Sequence, residues 1–171
     1  MEEASAEDHP AVVSVVNRAY RGVGYPHGWN TEAGLMSGDR IRLEQLRDDL
    51  SANLNAKLMV LREGSHIHAS VWIQPETDAQ WYFGMLAIDP TLQAMGVGKS
   101  MLQAIEQFVT DRGGRRIRIT VINVRESLIG WYERHGYTRT GEVEPFPYGD
   151  DRFGTPLRDD LNFVVLIKNP A

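Results

Sequence analysis

The chain has 171 residues, 42% of them hydrophobic and 24% charged, which supports one sizeable core, so we expect a single domain over residues 1–171. The net charge of −5 argues against a nucleic-acid partner, and the absence of cysteine excludes disulfides, thiolate nucleophiles and cysteine-based metal sites. An acidic N-terminus and the lack of a long apolar run predict neither a signal peptide nor a membrane span, and favour a cytoplasmic location.

The first half of the chain is predicted to contain two helices and a β-hairpin. Asp8 and Pro10 resemble a helix start, and apolar residues follow at helical spacing. The predicted elements are a helix through about residue 21, a helix from about Arg40 to Ala52, and hairpin strands over 57–63 and 66–74 joined by Gly64 and Ser65. The loop between the helices carries Tyr25, His27 and Trp29, which indicates that it covers another part of the molecule.

The second half alternates strands and helices. Residues 81–88, WYFGMLAI, are almost wholly apolar, as is typical of a strand buried on both faces at the centre of a sheet. The elements predicted after it are a helix from Gly96 to Gly113, a strand over 115–122, a helix over 126–135, a strand over 137–144, a long loop and a strand over 161–168. This order predicts an α/β fold with a mixed sheet, in which the strand–helix–strand unit is parallel.

A glycine motif lies between the central strand and the following helix. In QAMGVGKS, residues 93–100, Gly96 and Gly98 lack Cβ atoms at a helix start whose first N–H groups have no intrahelical acceptor. Lys99 adds a positive charge there, so the segment suits a phosphate group. The alternative is that the glycines only form a tight turn. A Walker P-loop is disfavoured, because it needs glycine where Gln93 stands.

Two motifs and the element order carry a resemblance to a known family. LAIDPTLQAMGVGKSML resembles the pyrophosphate-binding segment of the GNAT superfamily of acyl-CoA-dependent N-acetyltransferases, and LIGWYERHGYTRTGE resembles its C-terminal helix and strand. The succession of helices and strands matches as well, so the resemblance covers nearly the whole chain. It implies a GNAT-like fold, with a central mixed sheet flanked by helices, and acetyl-CoA as the cofactor.

The resemblance also implies where that cofactor binds and which residue assists the reaction. The central strand and its parallel neighbour are expected to splay apart and admit the pantetheine arm. The implied cofactor-binding residues are Leu86, Ala87, Ile88, Gln93, Ala94, Met95, Gly96, Val97, Gly98, Lys99 and Ser100. Tyr132 is the implied acid that protonates the departing thiolate, whereas the residues alone favour a core-facing aromatic.

Two positions depart from the family pattern. Arg125 stands where many members have a pantetheine-contacting asparagine, and it either reaches a cofactor phosphate or is a solvated charge at a helix start. Tyr82 stands where histone-type members have a glutamate base, so we expect it to relay a proton through water or to lie in the core. The usual first strand is expected to be short or absent.

The acceptor site is predicted from the aromatic and acidic loops. The candidate substrate-binding residues are Tyr25, Trp29, Glu32 and Tyr148, and they suggest a cationic small amine held by aromatic rings and carboxylates, or else a solvated acidic loop. The candidate bases are His27, His66, His68, Glu32, Glu142 and Glu144.

The function expected from the resemblance is acetyl transfer from acetyl-CoA to a primary amine of a small-molecule or peptide acceptor by direct attack. The alternative is a catalytically inactive acyl-CoA-binding module that regulates or contacts another protein, and a nucleotide hydrolase is a third class. A homodimer is compatible with the family but leaves no signature in the sequence.

Overall fold

The computed structural model describes residues 1–24 and 31–170. The helices are α1 (His9–Arg21), α2 (Leu43–Ala52), α3 (Val97–Thr110) and α4 (Glu126–Arg134). The strands are β1 (Glu2–Glu3), β2 (Met36–Ser37), β3 (Lys57–Glu63), β4 (His66–Pro75), β5 (Gln80–Ile88), β6 (Arg116–Ile122), β7 (Thr138–Pro145), β8 (Thr155–Pro156) and β9 (Asn162–Lys168). Within the described ranges, no helix has the length and apolar character needed to cross a bilayer.

Seven strands form one mixed sheet. Their order is β1-β3-β4-β5-β6-β9-β7, so β5 is the central strand, and β2 and β8 form a separate two-stranded ribbon. The β5–β6 pair is parallel and every other pair in the sheet is antiparallel. The predicted mixed sheet, its central strand and its parallel unit are therefore confirmed. The first strand is present but has only two residues, as expected.

The second helix begins later than predicted. It starts at Leu43 rather than near Arg40, because the side-chain oxygen of Asn17 on α1 accepts hydrogen bonds from the backbone N–H groups of Arg40 (2.7 Å) and Ile41 (3.2 Å). These two residues are thereby bonded to α1 instead of entering the helix.

The helices cover both faces of the sheet. On one face, α1 and α2 bury Val12, Val16 and Leu46 against Leu58 and Val60 of β3. On the other face, α3 and α4 pack on the remaining core of the sheet. The buried side chains of α3 and α4 there are Met101, Leu102, Ile105, Val109, Leu128, Ile129 and Tyr132. Each helix thus supplies an apolar stripe, as its 3.6-residue periodicity predicts.

The central strand is interrupted by a bulge. Met85 has a φ of 52°, which non-glycine residues rarely adopt, and the pairing of β4 with β5 shifts register between Ser70 and Trp72. Pairing of β5 with β6 is confined to Gln80–Tyr82 and Arg116–Arg118. Beyond these residues the two parallel strands diverge, and we call the space between them the wedge.

Candidate active site

The wedge opens into a cavity of about 240 Å³. Its walls come from β5, β6, α1 and α4, together with the segments that precede β2 and follow β7. Clefts that hold drug-sized ligands measure about 300–1,000 Å³, so this cavity fits a smaller molecule. It lies at the parting of two parallel strands, where the sequence analysis expects the pantetheine arm to enter.

Tyr132, the predicted acid, lies on α4 and lines this cavity. It is only 7% exposed and packs edge-to-face against Tyr137, with Phe83 of β5 nearby. Burial raises the pKa of its hydroxyl well above the ordinary value for tyrosine. The side chain therefore keeps its proton at neutral pH, which is the state that a proton donor needs.

A second tyrosine in the cavity was missed by the sequence analysis. Tyr20 on α1 donates a hydrogen bond from its hydroxyl to the backbone carbonyl of Leu86 on β5 (3.1 Å), and burial raises its pKa to about 12. In the sequence, Tyr20 is the last residue of an apolar helical stripe and gives no other signal. The hydrogen bond ties α1 to β5 just beyond the bulge.

Glu32 lies in the cavity between two arginines. Its carboxylate accepts hydrogen bonds from Arg21 of α1 (2.6 Å) and from Arg125 (3.2 Å), one on each oxygen. The three side chains are 8%, 5% and 9% exposed, respectively. The backbone N–H of Glu32 also donates to the carbonyl of Tyr20 (2.6 Å), which fixes this residue beside the end of α1.

The predicted role of Glu32 as a holder of a cationic amine stays a prediction, and the pairing of its carboxylate argues against it. The carboxylate already has two guanidinium partners, and Arg21 is further fixed by the carbonyls of Gly38 (2.9 Å) and Phe153 (2.5 Å). Burial lowers the pKa of Arg21, but an arginine remains charged at any physiological pH. Sequence reasoning missed Arg21 because it reads as an ordinary basic residue in the last turn of a helix.

Arg125 precedes α4 and turns its guanidinium into the cavity. The alternative that it is a solvated charge at a helix start is wrong, because its side chain is buried against Glu32. A contact with a cofactor phosphate stays a prediction.

Tyr148 does not lie in the cavity. It is 44% exposed, and its hydroxyl donates to the carbonyl of Arg158 (2.9 Å) and accepts from the N–H of Leu161 (2.9 Å). The side chain closes the loop between β7 and β9, and a contact of Tyr148 with substrate stays a prediction. Tyr25 and Trp29, the other predicted aromatic residues of the site, lie outside the described residues, as does His27.

Two of the candidate bases line the cavity, namely Glu32 and Glu144. Glu144 is paired with Arg118, so both carboxylates are occupied by guanidinium groups. Glu142 is exposed on β7, and neither His66 nor His68 of β4 lines the cavity. No candidate carboxylate within the described ranges is thus left unpaired in the cavity.

Tyr82, the predicted relay, lines the cavity from β5. A Cβ atom added to Gly84, two residues along the same face, would overlap its hydroxyl. Gly84 therefore leaves room for the Tyr82 ring. The sequence does not single out this glycine, because a lone glycine within a strand can have several structural reasons.

The glycine motif forms the start of α3. Ala94 and Gly96 both adopt left-handed conformations, with φ of 67° and 81°, and the first bond into the helix runs from the Ser100 N–H to the Gly96 carbonyl (3.1 Å). The N–H groups ahead of Ser100 in the first turn consequently have no intrahelical acceptor. Lys99 is exposed beside them.

The two glycines have different structural reasons. Gly96 is required by its positive φ, and a Cβ there would face open space. Gly98 is favoured by packing, since a Cβ would lie 3.2 Å from side-chain atoms of both Ile88 and Trp131, which would have to shift to admit it. The turn interpretation therefore explains why Gly96 is a glycine. The N–H groups and the open space around them are what fit a phosphate.

Comparison with known proteins places these features in context. The model of a family described as the acetyltransferase (GNAT) family matches residues 26–137. Mycothiol acetyltransferase from Actinosynnema mirum is 24% identical over 132 residues, which are 77% of this chain and 41% of that protein. The chain thus spans less than half the length of this curated relative.

Two solved structures share the fold. The ribosomal-protein-S18-alanine N-acetyltransferase from Escherichia coli superposes with a TM-score of 0.70 at 14% identity, covering 99% of this chain and 92% of that one. A GNAT family acetyltransferase from Elizabethkingia anophelis with acetyl-CoA bound gives a TM-score of 0.62 at 14% identity, covering 74% and 82%. At these identities the likeness concerns the fold alone.

Proposed function

The chain belongs to the acetyltransferase (GNAT) family, and from this premise we propose that it transfers an acetyl group from acetyl-CoA to the primary amine of a small acceptor. The observation that carries the proposal is the cavity at the divergence of β5 and β6, with the protonated Tyr132 in its wall. The GNAT fold and family expected from the sequence are confirmed.

We assign coenzyme A to the wedge and to the start of α3. We assign its pyrophosphate to the first-turn N–H groups of α3, within residues 93–100, where the helix dipole adds partial positive charge. We assign the pantetheine arm to the wedge face of β5 over Leu86, Ala87 and Ile88. When bound, acetyl-CoA supplies an acyl group activated as a thioester.

Proton movement falls to two tyrosines. Tyr132 holds a proton and would donate it to the sulfur of the leaving thiolate. Direct attack requires the acceptor amine to be neutral, because an ammonium ion has no lone pair. Since both cavity carboxylates are paired with arginines, we assign proton removal to water in contact with Tyr82 rather than to a free carboxylate.

The proposal is tested by coenzyme A binding and by release of free thiol. Acetyl-CoA should raise the unfolding temperature of the protein in a concentration-dependent manner, and Mg-ATP at the same concentrations should not. Free thiol should then form from acetyl-CoA when a panel of small primary amines is added. Binding without turnover across the panel would favour the inactive acyl-CoA-binding module, and a shift with Mg-ATP alone would overturn the proposal.

A further inference from the structure

The charges that line the wedge cavity do not cancel. Among the described residues, three arginines line it, Arg21, Arg40 and Arg125, together with two glutamates, Glu32 and Glu144. Glu32 is shared between Arg21 and Arg125, and Glu144 is paired with Arg118 from outside the lining. Both of these carboxylates are therefore engaged within the protein, and Arg40 is the lining arginine of the described ranges that neither of them contacts.

Arg40 is held in place by aromatic rings. Its guanidinium carbon lies 5.5 Å from the ring centroid of Tyr20 and 5.2 Å from that of Phe153, and the residue is half-buried. Over residues 1–24 and 31–170, no carboxylate lies within ion-pair distance of this guanidinium, and no group accepts a hydrogen bond from it. Contacts with ring faces leave its N–H donors, which lie in the guanidinium plane, available to a ligand.

We propose that the acceptor is a small primary amine that also carries an oxyanion, such as a carboxylate or a phosphate, and that Arg40 binds this group. The inference rests on the proposed function and names its substrate class. A guanidinium matches the geometry of a carboxylate or phosphate with two parallel hydrogen bonds, and a partly desolvated site strengthens them. The acidic loops in the sequence suggest an acceptor that is only cationic. Arg40 instead predicts that the acceptor also carries a negative charge.

The rest of the cavity is consistent with such a molecule. Its lining also includes Met36, Phe146 and Phe153, of which Phe153 contacts Arg40, so it offers apolar surface to the body of the acceptor. Its volume of about 240 Å³ lies below the range of about 300–1,000 Å³ typical of clefts for drug-sized ligands, which favours a compact acceptor. Arg40 therefore acts as a specificity-determining residue, separate from Tyr132, which serves the leaving group.

The test compares amines that differ only in the anionic group. The pairs are L-phenylalanine with L-phenylalaninamide, β-alanine with β-alaninamide, and phosphoethanolamine with ethanolamine, so the arms separate carboxylate from phosphate. Rates are referred to the neutral-amine fraction, because the members of a pair have different amine pKa values. The anionic member of at least one pair should have a kcat/KM about 10-fold or more above its neutral partner.

Variants connect this preference to the residue. Arg40→Gln should lower kcat/KM for the anionic amine about 10-fold to 100-fold and leave its neutral partner within about twofold, the loss expected for one charge-assisted contact. Arg40→Lys should recover part of the loss. Arg42→Gln is the matched control, because Arg42 is exposed two residues away and makes no side-chain cap.

A binding measurement keeps the inference testable apart from catalysis. In the presence of coenzyme A, N-acetyl-L-phenylalanine should bind more tightly than its amide, and Arg40→Gln should abolish the difference. Equal binding of the two compounds, together with equal rates for all pairs, would overturn the inference even if acetyl transfer is observed. Failure of acetyl-CoA to bind would instead overturn the proposed function.

Discussion

Replacing Glu32 with glutamine tests whether the cavity is built on a buried charge cluster. The variant removes the negative charge that two guanidinium groups share, at 2.6 Å and 3.2 Å, in a site where no member is more than 9% exposed. Removing one partner of a buried ion pair costs about 3–5 kcal/mol, because the remaining charge is left desolvated. For a chain of this length that corresponds to a fall in Tm of about 6–20 °C.

The measurement is urea unfolding at neutral pH, with the denaturant slope compared between variants to exclude a change in the unfolded state. The matched control is Glu3→Gln, which removes an exposed pair with Lys57 (2.8 Å) and should cost about 0–1 kcal/mol. Added salt should change the Glu32 difference little, since buried charges are poorly screened. Equal losses for the two variants would refute the interpretation of a buried cluster.

Three further variants test the coenzyme and proton sites. Tyr132→Phe should lower kcat about 100-fold or more and leave acetyl-CoA affinity within about twofold, and an unchanged rate would remove the acid role. Gly96→Ala should lower the free energy of unfolding in urea by about 1–2 kcal/mol, because the φ of Gly96 is 81°. It should also weaken coenzyme A binding in a thermal-shift titration. The control Gly130→Ala, within helix α4, should not destabilise the protein. Gly84→Ala should displace the Tyr82 ring and lower kcat/KM. Adding Tyr82→Phe to this variant should then cause little further loss of kcat/KM. Fully additive losses of kcat/KM would contradict the coupling of the two residues.

Most of the fold could be predicted because its signals are local in the sequence. The apolar run of residues 81–88 marks the central strand, and helical periodicity marks α1, α3 and α4 within about three residues at each end. The start of α2 was predicted too early. The side chain of Asn17 accepts a hydrogen bond from the backbone N–H of Arg40, 23 residues later in the chain, and this keeps Arg40 out of the helix. A long-range hydrogen bond of this kind leaves no local pattern.

The site was less predictable because pairing between charges depends on tertiary contacts. Glu32 is separated along the chain by 11 residues from Arg21 and by 93 residues from Arg125. The acidic composition of the loops does not show either pairing. Nor does the sequence identify Arg40 as the lining arginine, within the described residues, that neither cavity glutamate contacts, since this follows only once Glu32 and Glu144 have been assigned their partners. Tyr148 was predicted in the site because it is an aromatic residue of the loop between β7 and β9. Its hydroxyl instead forms hydrogen bonds within that loop.

The bulge at Met85 links the fold to the proposed chemistry. A methionine at a φ of 52° is strained by roughly 1–3 kcal/mol, so the surrounding structure must hold it there. It lies between Gly84, which leaves room for Tyr82, and Leu86, whose carbonyl is bound by Tyr20. Pairing of β5 with β6 already ends at Tyr82, so Met85 and its neighbours lie in the part of β5 that borders the wedge. The irregular pairing with β4 and the strained residue therefore occur in the stretch of strand that lines the cavity, on the same strand as Tyr82.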